Sequence, residues 1–274
     1  MDHFGWPLLY ALFVWWFSTA LLIYLDNLPR PTFRWSMLGG TLVFVIALYR
    51  LARGSADGSV TGAYAAFTYG VLAWGWHEMA FFMGFVTGPH QQACPDPCPP
   101  WRRFVLALQT CLYHELAILA CAIAIVALTW GAPNQIGTWT FMTLWAMRQS
   151  AKLNVFFGVR NLNEQFVPAH LAHLTSFMRR RPMNLLFPVS VTAATLALVL
   201  LVLAMVAPGV GAFRAAGLTC IATMLALGIL EHWFLVLPLP FAALWNWLLR
   251  LRGPAAPPGR AARGRAAAMT QAGA

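Results

Sequence analysis

The chain has 274 residues, of which 60% are hydrophobic and only 9% charged, with 13 Trp and a mean hydropathy of +0.65. These values exclude an ordinary water-soluble domain and fit a polytopic membrane protein. The net charge is +10, but no basic–aromatic groove motif accompanies it, so nucleic acid is not an expected partner and the arginines are read as contacts to anionic membrane lipids.

A helix needs about 20 mostly apolar residues to cross the hydrocarbon core. Seven such runs are predicted, at about 6–25, 36–53, 60–86, 104–130, 136–158, 186–207 and 212–236, which makes the expected fold class an all-α integral membrane protein with seven transmembrane helices. The first run begins MDHFGWPLLY, without a basic n-region, and is expected to stay as a membrane helix. The second ends early, at Arg50 and Arg53. Between runs three and four, at 87–101, lies a proline-rich loop containing CPDPCPP; Cys94 and Cys98 are too little to define a metal site by themselves. Cys111, Cys121 and Cys220 fall in apolar runs and read as packing residues.

Runs five and six are joined by a long connection, 159–185, in which Pro168 followed by Leu171, Leu174 and Phe177 predicts a short amphipathic helix along the membrane interface. Arg179, Arg180 and Arg181 give that helix a charged end, and Pro182 stops it. The membrane domain is expected to span 1–250, and the Ala/Gly/Pro/Arg-rich tail, 251–274, is expected to be disordered. The segments after the odd-numbered runs carry 13 arginines and those on the other side three. The positive-inside rule then puts the N-terminus outside and the C-terminus in the cytoplasm.

Every glutamate keeps company with histidine: His77-Glu78, His114-Glu115, Glu231-His232, and Glu164 ahead of His170 and His173. Ionisable groups inside a bilayer are costly and are functional candidates by default. Counted from the expected helix ends, His77 and His114 are each ten residues, or about 15 Å, from the cytoplasmic side. Arg148 and Lys152, four apart on one face of the fifth run, are expected to face the bundle and neutralise carboxylates. Imidazole and carboxylate together form the usual ligand set of iron and other divalent metals. The nine residues His77, Glu78, His114, Glu115, Glu164, His170, His173, Glu231 and His232 are therefore candidate metal ligands or their supporting partners. A structural network of buried ion pairs, a metal centre, and ligation of haem iron or chlorophyll magnesium all fit these residues. A transporter would show paired half-repeats with broken helices, and none is evident.

The strings HEMAFFMGFVTGP, YHELAI, RQSAKLNVFFGVRNLNEQFVPAHLAHL and RRRPMNLLFPVS resemble the PuhE family of photosynthetic complex assembly proteins from purple phototrophic bacteria. The resemblance covers about 5–245 and is most specific from Trp76 to Ser190. It implies a setting in the cytoplasmic membrane or its intracytoplasmic extensions, beside the gene of the reaction-centre H subunit. It also implies reaction-centre or light-harvesting subunits as partners, with bacteriochlorophyll as a cofactor handled in assembly. A membrane metalloenzyme acting on a pigment precursor through a His/Glu, di-iron-type site is the alternative that the residues themselves leave open.

Overall fold

The computed structural model describes residues 2–238, and among them every long element is an α-helix. These are α1 (Asp2–Asp26), α2 (Phe33–Gly54), α3 (Val60–Phe82), α4 (Pro100–Leu128), α5 (Ile136–Phe157), α6 (Leu186–Met205) and α7 (Ala212–Val236). Five of them (α1, α2, α4, α6 and α7) are long and apolar enough to cross a membrane. The other two, α3 and α5, carry Glu78, Arg148 and Lys152. The tail 251–274, expected to be disordered, lies outside the described residues, as does the last part of the expected membrane domain.

Helices α3, α5 and α7 pack on one another at the centre; α1 and α6 flank α7, α2 covers α3, and α4 lies only lightly against α5, α2 and α3. Lipid tails give apolar helices no hydrophobic reason to associate, so close packing depends on small side chains. The buried face of α7 is built accordingly, with Ala215, Ala216, Gly217, Thr219, Cys220, Ala222, Thr223 and Gly228. Between α3 and α5 the backbones nearly touch: a Cβ on Gly70 would come within 2.7 Å of the Gly137 carbonyl oxygen. Phe67 and Phe141, both fully buried, fill the space around this crossing.

Helix α3 stops at Phe82, four residues before its apolar run ends. Gly84 takes φ +83°, and the N–H groups of Phe85 and Val86 both return to the Ala80 carbonyl. The chain then runs along α4, where His90 N–H donates to Gln109 O and His114 N–H donates to Thr87 O. Helix α4 in turn begins at Pro100, earlier than its apolar run, because proline suits the first helical turn.

The 159–185 connection is ordered. After Pro168 it forms a 3-10 helix, Ala169–Phe177, that buries Leu171 and Phe177, so the expected amphipathic element is present in a tighter form and ends before the arginines. Asn161 donates to the Phe234 and Leu237 carbonyls at the end of α7. Buried Arg103, at the start of α4, donates to the Phe177 carbonyl and, at 3.3 Å, to Phe156 O at the end of α5.

These contacts gather the starts of α4 and α6 and the ends of α3, α5 and α7 at one end of the bundle. Arg30, Arg34, Arg102, Arg103, Arg160, Arg179, Arg180 and Arg181 belong to this end. At the opposite end the Asn134 amide joins the carbonyls of Gly54, Asp57 and Gly62, and the segments there carry Arg50, Arg53 and Arg214.

Candidate functional site

Phe141, Trp145, Arg148 and Lys152 recur at helical spacing, so α5 presents one stripe toward α3 and α4. The Arg148 guanidinium lies 3.0 Å from a Glu78 carboxylate oxygen, and Lys152 Nζ lies 2.6 Å from Glu115 Oε1. Gln149 Nε2 donates to the other Glu115 oxygen. The two cations also sit over aromatic rings of α3, Arg148 at 5.6 Å from Phe82 and Lys152 at 5.6 Å from Phe81. The expected neutralisation of carboxylates by α5 is therefore present, with one base for each acid. A charge held this way, with hydrogen bonds and ring faces around it, avoids most of the penalty of an unpaired ion away from water.

Neighbours on a helix diverge by about 100°, and each His-Glu pair is split accordingly. Glu78 turns to Arg148, whereas His77, 1% exposed, turns inward among Phe44, Trp76 and Phe141. Glu115 turns to Lys152, whereas His114, also 1% exposed, packs 4.7 Å from the Phe81 ring. On α7, Glu231 is exposed and accepts from the Trp15 indole at 3.3 Å, with Arg148 and Glu78 within electrostatic reach. Buried His232 donates from Nδ1 to the Gly228 carbonyl, which leaves Nε2 of the neutral ring to accept from Ser150 at 2.9 Å. His232 thus has both nitrogens in use as a tie between α5 and α7.

The two inner histidines are neighbours, as matching depth required, but not by equal counts from the helix ends. His77 is five residues before the end of α3, about 7.5 Å, and His114 is fourteen residues into α4, about 21 Å. The 84–90 segment makes up the difference by lying alongside α4.

The connection contributes differently. Glu164 pairs with Arg180 at 3.3 Å, but the side chains are 47% and 69% exposed. His170 packs against Gly84 and near Phe33, and burial together with the Arg30 charge holds its pKa below the usual histidine value. Burial also lowers that of His173, with a smaller push from His90. Among the described residues, no three His, Cys, Asp or Glu side chains gather as a metal-holding group. The five cysteines are free thiols, with Cys121 and Cys220 buried as packing residues.

Two asparagines organise this region: Asn154, an amide beside the α5 cations in the sequence, and Asn184, which sequence reasoning passed over. Asn154, fully buried, donates to Ser150 O and to Ser190 Oγ on α6. Asn184 donates to the Asn154 and Gly158 carbonyls, while its side-chain oxygen accepts from the N–H groups of Leu186 and Phe187 that open α6. The available signal was Asn184 immediately before an apolar run, which is a helix-start signature.

The sequence profile of a family described as "Protein of unknown function (DUF3623)" matches residues 1–256. A relative from Rhodobacter capsulatus, described as "Uncharacterized 30.4 kDa protein in puhA 5'region", is 40% identical over 252 residues, covering 87% of this chain and 88% of the relative. No solved structure matches.

Proposed function

Because the chain belongs to the DUF3623 family, and because a relative is named for its place in the puhA 5' region, we propose that it is a membrane assembly factor for photosynthetic complexes. That genomic position is the observation that carries the reading. It agrees with the setting implied by the family resemblance of the 76–190 region. In this reading all seven long helices cross the cytoplasmic membrane or its intracytoplasmic extensions, with the N-terminus outside. The protein works beside nascent reaction-centre or light-harvesting subunits and modulates the supply of bacteriochlorophyll to them.

The architecture supports a binding role. Glu78 and Glu115 are occupied in ion pairs with Arg148 and Lys152. Large apolar side chains face outward, among them Trp6, Trp16, Trp35 and Trp139, as contact with lipid and partner helices requires. Deleting the gene and recording near-infrared absorbance of isolated membranes tests the proposal. The expected result is a loss of reaction-centre and antenna bands, together with recovery of their subunits on a tagged copy of the full chain. Unchanged bands and a tagged chain free of those subunits would overturn it.

A further inference from the structure

Four buried polar groups on the facing surfaces of α3, α4 and α5 have no hydrogen-bond partner among the described residues. Both ring nitrogens of His77 and both of His114 are unpartnered, as are Trp145 Nε1 and Arg148 Nε. Both imidazoles are 1% exposed, so bulk solvent does not satisfy them. Buried polar groups are almost always paired, and each orphan in a native fold calls for an explanation. These four lie in one neighbourhood. Trp145 and Arg148 share the α5 stripe, and His114 lies within electrostatic reach of Arg148, Lys152 and His77.

The missing partner can be described chemically. Indole and guanidinium N–H groups only donate, and each neutral imidazole has one donor and one acceptor to place, so four donors meet two acceptors and the cluster is short of acceptors. Anions are poorly suited. Arg148 and Lys152 already have Glu78 and Glu115, and Glu231 adds a further negative charge beside Arg148. A neutral oxygen acceptor, the carbonyl, remains. Phe81 and Phe82 line the same surfaces, which favours a flat ring. Helix α4 is only lightly packed on α3 and α5, which gives a membrane-dissolved molecule a lateral way in. Aromatic rings pack directly on His77 and His114, so an aromatic ring of similar size is the natural guest beside them and a macrocycle is not.

We propose that the His77–His114–Trp145–Arg148 cluster between α3, α4 and α5 is a binding site for the head group of a lipophilic quinone. The site is independent of the assembly role and is tested on the purified protein, so its failure leaves the deletion phenotype untouched.

Isothermal titration of the full chain in detergent uses menadione as probe and 2-methylnaphthalene, which has the ring without the carbonyls, as comparison. Menadione is expected to bind at least about tenfold more tightly, the worth of one hydrogen bond near 1.4 kcal/mol. His114→Phe and the milder Trp145→Phe are each expected to weaken menadione about tenfold, while Trp139→Phe, on an exposed site, leaves it unchanged; circular dichroism confirms that each variant is folded. Equal affinity for the two ring compounds, or wild-type affinity in folded Trp145→Phe, overturns the proposal. Binding of bacteriochlorophyll a with the same dependence on these variants, and no binding of menadione, overturns the assignment to a quinone.

Discussion

Lys152 is the only lysine in the chain, and its ammonium is the counter-charge of Glu115. Replacing it with methionine keeps the apolar stem and removes the charge, leaving a carboxylate inside the bundle with Gln149 as its remaining donor. Breaking one side of a buried pair costs about 3 kcal/mol or more, whereas removing both sides is close to neutral. Thermal unfolding in detergent should therefore show a clear loss for Lys152→Met and recovery of most of it when Glu115→Gln is added. Glu164→Gln, in the exposed pair with Arg180, should change stability by no more than about 0.5 kcal/mol. A double variant no more stable than Lys152→Met would mean that the pair is not what holds α4 to α5. The chain's sequence shows that α5 brings two cations to the glutamates, since four-residue spacing fixes their common face. Which cation meets which acid depends on how far α4 slides along α5. That offset is set by Arg103 and the 84–90 segment, contacts between residues far apart in the chain.

At the scale of an element, α3 allows a contrast within one helix. A Cβ at Gly70 would press on the Gly137 carbonyl oxygen and on Thr140, whereas a Cβ at Gly75 would meet nothing within 4 Å. Alanine is about 1 kcal/mol better than glycine in a helix interior, and overpacking costs about 1–3 kcal/mol. Gly70→Ala should therefore destabilise and Gly75→Ala should stabilise, a difference of sign readable in melting temperatures of the two purified variants. A Gly70→Ala variant as stable as Gly75→Ala would show that the α3–α5 crossing is looser than its geometry. Helices were legible as apolar runs because each must satisfy its backbone internally when away from water. Their ends were less so. Hydropathy carries the third run through 86, but left-handed Gly84 and the paired returns to Ala80 end α3 at Phe82. The His-Glu motif was legible as well, including its splitting by helical twist. The fate of each half was not: His232 found Ser150, while His77 and His114 found aromatic rings. Nothing local to those pairs encodes the difference.

For the whole molecule, alternating helices place the 84–99 loop and the 159–185 connection at one end and the α6–α7 turn at the other. Exposed arginines crowd the first end, and each one near an anionic leaflet is worth about 1 kcal/mol. Six of them at that end against three at the other bias insertion toward a cytoplasmic position for the 84–99 loop. The test needs one accessible thiol at a time. Replacing the five native cysteines with serine or alanine gives a silent background. Gln92→Cys and Ala207→Cys then mark exposed positions at opposite ends of the bundle. On intact spheroplasts a membrane-impermeant maleimide should label Ala207→Cys at once and Gln92→Cys only after permeabilisation. The inverse pattern would reverse the orientation and leave the proposed seven spans in place. Labelling of both positions from the outside would break the alternation itself. Helices α3 and α5, which are outside the set of helices long and apolar enough to cross a membrane, would then have to be read as something other than spans.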